Sequence, residues 1–448
     1  MQGAVMNREF RKDVIDETLR HAGIDFNKLD IQELWKQIGE LEKKLGVEYV
    51  RMDFGVPGLP PPHAAIYAQL QAISNELSVM TYPPAGGTTE LKGAASAFIQ
   101  NFLNLDVEAE YCFPTCGATQ AAFIAQAIAG RRDGARAKVL HLEPGYPPIK
   151  EQTRFLGLGS CGIDLFACRG TRLVKQVHQY CQDGEIAAIA WSSPNNPTAA
   201  ILSEEELQGI AELCDQNDVI AIEDAAYLCM SPNSSPPRVR SVAHFTDNFF
   251  LLLSASKMLS YAGERLGLLV TSRSLAARNY EFLRGFFGCA NVGQAITRAI
   301  FNLTAGAPHS AQLGVAAAFN AASRGEYDLV GTLAEYGRRA RALKDIFVGN
   351  GFSLLYTNGQ DPGFYLTFAY PGYNAPNLLK ELLYYGITAL PLRLFGSSQS
   401  DGVRACVGLL GPKEIRRLEQ RVRSFSRAHG QAVTPGLLTL EPNRKEQP

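Results

Sequence analysis

The chain has 448 residues, with 43 lysines and arginines against 44 aspartates and glutamates and a formal net charge of −1. That length points to more than one domain, or to one large domain with a smaller companion. The charge balance argues against nucleic acid or an anionic membrane surface as a partner, and no apolar run is long enough to span a bilayer.

The opening stretch "MQGAVMNREFRKDVIDETLRHAG" carries charges throughout and does not read as a signal peptide. Nine scattered cysteines read as thiols in a reducing, cytoplasmic compartment. Cys112 and Cys116 lack a second pair or a nearby histidine, so no metal site is expected. Next, "LDIQELWKQIGELEKKLG" places Ile31, Leu34, Trp35, Ile38, Leu41 and Leu45 on one helical face, with Asp30 as its cap. The Gly- and Pro-rich "DFGVPGLPPP" then reads as an extended connector.

From about Pro62 helical and strand patterns alternate. The strand patterns are "AKVLHLE", "IAAIAWSS", "VIAIEDAAY", "FFLLLSAS" and "GLLVTS". Such alternation predicts an α/β domain with a mainly parallel sheet between helices. After about Gly325 the pattern changes to a smaller α+β unit. In its last helix Ile415, Leu418, Val422 and Phe425 turn inward. The expected organisation is residues 1–60 as N-terminal helix and connector joining the small domain, 61–325 as the large domain, 326–432 as the C-terminal small domain, and 433–448 as a disordered tail.

Open parallel sheets bind ligands beyond the carboxyl ends of their strands. Polar residues cluster at those ends here. Gly117, Ala118 and Thr119 enter a helix whose N-terminus can hold a phosphate. Tyr146, Asn195 with Asn196, and Glu223 with Asp224 and Tyr227 each follow a strand pattern. So do Ser254, Ser256 and Lys257, in "SASKMLSYAGERLG". A lysine at the end of a buried strand has two readings. Either the strand runs out into a solvated loop, or the amine is held in a pocket to react with a carbonyl.

Five ordered motifs bear on that choice: "YPPAGGTTELK", "NNPT", "DAAY", "SASK" followed by "GERLG", and "VRACVG". Between Asp53 and Gly408 their order resembles the fold-type I pyridoxal-phosphate enzymes of the class I/II aminotransferase family. The resemblance implies pyridoxal 5'-phosphate as cofactor and Lys257 as the residue that forms an imine with its aldehyde. It implies that Asp224 pairs with the ring nitrogen, that Tyr227 and Asn196 bond the ring hydroxyl, and that Tyr146 stacks on the ring. Ala118, Thr119, Ser254, Ser256 and Arg265 would hold the phosphate. Arg404 would grip the substrate carboxylate, with Gly55 and Asn196 beside it. Tyr82 would reach the phosphate of a neighbouring subunit, which makes the protein a homodimer with shared sites.

The implied activity is amino transfer between an α-amino acid and a 2-oxo acid. The same motifs serve elimination, cyclisation of S-adenosylmethionine and carbon–carbon bond formation. A ligand sensor on this scaffold would need a DNA-binding module, and the helix before Asp53 is too little for one. Two departures stand out. Ala199 occupies a position where the family motif has glycine, and no second arginine for a distal carboxylate is evident beyond Arg298.

Overall fold

Two sheets organise the chain, and residues from both line one cavity. The computed structural model describes residues 10–29, 31–75, 77–231, 236, 239–356 and 363–430. The larger sheet contains β1 (Cys112–Thr115), β2 (Lys138–Glu143), β3 (Gly159–Asp164), β4 (Ile186–Ser192), β5 (Ile220–Asp224), β6 (Phe249–Ser254) and β7 (Gly267–Thr271). Their spatial order is β1-β7-β6-β5-β4-β2-β3. The strands from β6 across to β3 are parallel, while β7 runs antiparallel to both β6 and β1.

Strands β4, β5, β6 and β7 are buried at every position. This is why they read as continuous apolar runs: both faces are covered. Phe250 and Leu252 pack on one side with the helices Ala118–Gly130 and Val292–Thr304. Leu251 and Leu253 alternate to the other side, toward the helices Thr89–Leu103, Glu204–Asn217 and His309–Ser323. Each such fully buried side chain stabilises the fold by about 1.5–3 kcal/mol.

The smaller sheet is antiparallel. It contains β8 (Ser353–Leu354), β9 (Tyr365–Ala369), β10 (Leu390–Pro391) and β11 (Val403–Cys406), in the order β10-β11-β9-β8. The helix Pro412–His429 buries Leu418, Val422 and Phe425, with Ile415 partly buried beside them. The segment before the connector joins this unit. Val50 N–H donates to Gly386 O (2.8 Å), and Cys406 N–H donates to Met52 O (2.9 Å). The helices Lys12–His21 and Ile31–Leu45 pack through Ile15, Leu34 and Ile38 against Leu383, Tyr384 and Leu390.

Three sequence expectations need correcting. Trp35 does not join the buried face of its helix but is 54% exposed, its ring tilted on Phe54 at 6.4 Å. It sits one residue, about 100° of turn, beyond buried Leu34, and so at the rim of the apolar stripe. Strands β1 and β3 were also missed. The first contains Pro114 on a sheet edge, and the second, "GSCGID", has two glycines and little apolar content. The expected Asp30 cap and the tail 433–448 lie outside the described residues.

Candidate active site

Lys257 leaves the large sheet at the end of β6, on the one-turn helix Ala255–Met258. Its chain neighbourhood is fixed by Ala255 N–H, which donates to Leu266 O (3.1 Å) and draws the start of β7 against the end of β6. The amine enters a cavity of about 420 Å³ between the two sheets. There it donates to Gly55 O. Burial is the main reason its pKa falls to about 8, with the Arg404 and Arg265 charges adding to the effect. That shift is in the direction nucleophilic chemistry requires, because it raises the share of neutral amine.

Asp224 ends β5 and is buried on the same cavity wall. Its carboxylate accepts from Ala226 N–H at 3.1 Å. Burial raises its pKa to about 6, against the opposing pull of that bond and of Lys257. Glu223, one residue earlier, does something different. The pleat turns it to the opposite face of the sheet, where it accepts from Ser241 Oγ (2.6 Å) and Val242 N–H (2.9 Å) and takes no part in lining the cavity. The Tyr227 hydroxyl pairs with that of Tyr365 at 2.6 Å, and burial pushes both phenols well up.

One end of the cavity gathers anion-binding groups. The helix Ala118–Gly130 begins there, with Gly117 before it at φ 78°. A side chain on Gly117 would put its Cβ 2.6 Å from Arg265 Nη2, so only glycine allows the guanidinium to lie against this turn. Arg265 itself sits at φ 52°, in the left-handed region, and donates to Ser256 Oγ (3.3 Å) and Ala262 O (2.9 Å). Ser254 lies beside them. First-turn N–H groups, hydroxyls and a guanidinium together form an anion cradle.

Arg404, on β11, closes the other end. It is buried between the rings of Tyr365 (4.6 Å) and Phe395 (4.9 Å). Its Nη1 donates to Asn196 Oδ1 at 3.2 Å and its Nη2 to Asp53 O. Its Nε is buried and has no partner among the described residues. An orphaned guanidinium N–H is a standing requirement for an acceptor. Tyr146, half-exposed, lies on the cavity wall, and burial and then Asp224 raise its pKa.

Of the residues singled out from the sequence, Gly55, Ala118, Thr119, Tyr146, Asn196, Asp224, Tyr227, Ser254, Ser256, Lys257, Arg265 and Arg404 all border this one cavity. Tyr82 does not; it is 84% exposed on the outer surface. Asn195 is absent from the wall as well, and instead braces its loop by donating to Pro144 O (2.8 Å). Arg298 lines a separate surface cleft. Ala199 takes φ 58° and lies off the cavity wall, so its methyl costs about 1–2 kcal/mol of backbone strain without crowding a ligand.

Sequence reading missed Ile31, Gln32, Phe54, Tyr365, Leu390 and Phe395, which also form the wall. Tyr365 carried a signal in hindsight: a tyrosine inside the apolar strand "FYLTFA", needing a partner for its hydroxyl.

The family model "Aminotransferase class I and II" matches residues 48–422. The chain belongs to this family. Pyridoxal 5'-phosphate is the cofactor of such enzymes, and the residues present fit it: an anion cradle at one end, a buried carboxylate and a lysine of lowered pKa between, and an aromatic ring on the wall. Among curated relatives, the valine–pyruvate aminotransferase of Mycobacterium tuberculosis is 27% identical over 320 residues, covering 70% of this chain and 74% of that protein. A probable aspartate aminotransferase of Methanocaldococcus jannaschii is 26% identical over 230 residues, or 50% of this chain and 58% of that protein. The match thus spans little more than half of the second relative.

The solved structure of an aminotransferase from Mycobacterium tuberculosis superposes with a TM-score of 0.74 at 23% identity, over 90% of this chain and 99% of that one. Aspartate aminotransferase from Thermus thermophilus, with maleate, gives 0.72 at 21% identity, over 88% and 96%. The architecture is the fold-type I arrangement: a mainly parallel seven-stranded sheet flanked by helices, with a smaller α+β unit. Among the described residues no helix is long and apolar enough to cross a membrane, and no group of three His, Cys, Asp or Glu side chains is placed to hold a metal ion.

Proposed function

We propose that the chain is a pyridoxal-phosphate-dependent aminotransferase that moves an amino group between an α-amino acid and a 2-oxo acid. The observation that carries the reading is Lys257, its pKa lowered to about 8, in one cavity with buried Asp224 and between two separated arginines, Arg265 and Arg404.

When bound, the cofactor supplies an aldehyde carbon that accepts amines and a pyridine ring that takes up electron density. Every other task falls to the chain. With a pKa near 8, about a tenth of Lys257 is neutral at pH 7, against fewer than about one in a thousand for a solvated lysine. The amine is therefore available as a nucleophile, and once displaced it carries the proton to and from the substrate Cα. Asp224 holds the proton on the ring nitrogen, a task that needs its negative charge. Arg265, Ser254, Ser256 and the N–H groups of Ala118 and Thr119 would anchor the phosphate, and Tyr146 would offer its ring face to the cofactor. Arg404 offers its unpaired Nε to the substrate carboxylate, and the two rings around it keep the fork in place. Asn196 and Gly55 flank the bound amino acid. Tyr227, tied to Tyr365, presents its hydroxyl to the cofactor.

In this reading residues 61–325 form the cofactor-holding domain, and 1–60 with 326–432 form the small one. The nine free thiols fit a reducing, cytoplasmic setting. The protein acts as a homodimer with shared sites. Support comes from Tyr82 being exposed, as are the apolar side chains of Tyr67, Leu70 and Met80 shortly before it in the chain.

Incubating the holoenzyme with one amino acid and no acceptor tests the reaction. One equivalent of 2-oxo acid per site and no ammonia is expected, with turnover resuming when a second 2-oxo acid is added. Continuous ammonia release without acceptor would make it an eliminating enzyme. For the shared site, Lys257→Ala and Tyr82→Ala subunits, each first shown to be inactive, are unfolded and refolded together. Random pairing should restore about a quarter of wild-type activity, since half the dimers are mixed and each carries one intact site. No recovery from confirmed heterodimers would assign Tyr82 to its own subunit.

A further inference from the structure

We propose that this cavity selects amino acids with an uncharged apolar or aromatic side chain and rejects acidic ones. The inference rests on the aminotransferase reading and names the substrate class of that same site.

Among the described residues the wall carries three basic side chains, Lys257, Arg265 and Arg404. Each already has a place. Lys257 donates to Gly55 O. Arg265 lies in the anion cradle, against Gly117 and bonded to Ser256. Arg404 is pinned by Asn196 and Asp53 O, with one N–H left for an acceptor. A second carboxylate on the substrate would find no further unengaged cation among the described residues of this wall, since nearby Arg51 is itself paired with Asp53. A basic side chain fares no better. The Asp53 carboxylate is turned away to Arg51, at 3.0 Å on both oxygens, and to Thr388, and Asp224 lies at the strand ends beside Lys257.

The wall around Arg404 and Gly55 is apolar instead. Leu390 lies directly across from Arg404 in the β10–β11 pairing, and Phe395 covers the guanidinium. Phe54 and Val56 flank Gly55, and Ile31 brings the N-terminal helix onto the same wall. The surface continues outward: Phe54 is 41% exposed, and Trp35, which packs on it, is 54% exposed. A large apolar side chain extending from the Arg404 end would cover these rings. Gln32, the polar side chain beside Ile31, is neutral. A carboxylate there gains no ion pair from the wall, whereas each added methylene against such a wall is worth about 10- to 200-fold in selectivity.

The test titrates the holoenzyme with 3-phenylpropionate, 4-methylpentanoate and succinate, amine-free analogues that bind without reacting, followed by calorimetry. The two apolar acids should bind at least about tenfold more tightly than succinate. Succinate binding as tightly or more tightly would overturn the proposal, and a basic residue delivered by a second subunit would give that result. Because nothing reacts, this titration stands apart from the aminotransferase reading. If no amino acid yields its 2-oxo acid but the apolar preference holds, the reaction assignment falls and the pocket assignment remains. Ile31→Arg, or Gln32→Arg should the first variant fail to fold, puts a cation on this wall. Either should raise the affinity for succinate relative to 3-phenylpropionate by about tenfold. An unchanged ratio in the folded variant would overturn the placement of the side chain against this helix.

Discussion

The two walls of the cavity are built by different rules. One wall is made by the ends of β4, β5 and β6, which present Asn196, Asp224 with Tyr227, and Ser254 through Lys257. Each of these residues stands within a few positions of an apolar strand. A lysine or an aspartate there is a local anomaly, visible in a short window of sequence. The facing wall draws Ile31 and Gln32 from a helix, Phe54 from the connector, Tyr365 from β9, and Leu390 and Phe395 from a stretch more than three hundred residues further on. Apart from the tyrosine hydroxyl of Tyr365, little local marks these residues, because Ile31, Phe54, Leu390 and Phe395 on a cavity wall look like core side chains and Gln32 looks like a surface one. In the proposed reading, cofactor chemistry is thus written in charges at strand ends, and substrate choice in tertiary placement.

The sharpest break of that comparison is Lys257→Ala. It should lower turnover by at least about 10⁴-fold while leaving the fold intact, since both the amine and the proton carrier at Cα are lost. In the wild type, borohydride reduction should fix the cofactor on Lys257, and peptide mapping that finds the label elsewhere would refute the assignment. The pH dependence follows from the sign of the shift. With its pKa lowered to about 8, Lys257 is mostly protonated below that pH and neutral above it. The rate at which the apoprotein captures pyridoxal phosphate should thus rise with pH through about 8 and then level off. A rate still climbing steeply beyond pH 10 would mean a solvated lysine.

A smaller loss is expected at Asp224. Asp224→Ala should bind cofactor yet lose about 10²- to 10³-fold in kcat, because the ring nitrogen loses its counter-charge. Asp224→Glu should be milder, since the charge survives with altered reach. Wild-type turnover in a cofactor-loaded Asp224→Ala protein would remove it from the chemistry.

How far the fold itself was legible follows the same division. The strands buried on both faces announced themselves, as "FFLLLS" does for β6. The edge strands β1 and β3 did not: β3 is only partly buried and poor in apolar residues, while β1, though buried, is four residues long and contains Pro114. Trp35 shows the limit of helical periodicity. Spacing placed it with the core, while the angular step from Leu34 left it at the rim, where Phe54 and the Arg51 guanidinium meet it. At Ala199 the motif was readable but its consequence was not. Only the structure shows that the alanine takes the left-handed turn glycine would favour and lies off the cavity wall.

The substrate wall should respond more weakly and in a different kinetic constant. Phe54→Ala removes a ring that is already 41% exposed, so little stability is at stake. Its expected effect is about a tenfold fall in kcat/KM for apolar amino acids, carried by KM, with cofactor capture and its pH profile unchanged. A fall in kcat of the size expected at Asp224 would erase the distinction between the walls.

The least expected effect on activity is at Glu223, the immediate neighbour of Asp224. Both are carboxylates buried in β5, but the pleat sends Glu223 to the face away from the cavity, where Ser241 and Val242 bond it. Glu223→Gln should leave kcat/KM within about twofold of wild type, because its oxygen can accept the same two bonds. Its signature lies in stability. Burial raises the Glu223 pKa from 4.5 to about 7, so the folded state holds a proton that the unfolded chain releases sooner. Between those values the native protein binds more protons than the unfolded one, and stability falls as pH rises. The gap corresponds to about 3 kcal/mol, fully present below pH 4.5 and lost by about pH 7. Glutamine cannot titrate, so denaturant unfolding of Glu223→Gln between pH 5 and 7 should show a flatter profile than wild type. If the two profiles coincide and the variant also loses activity, Glu223 acts on the cavity side after all, and the division of β5 into a chemical and a structural face is wrong.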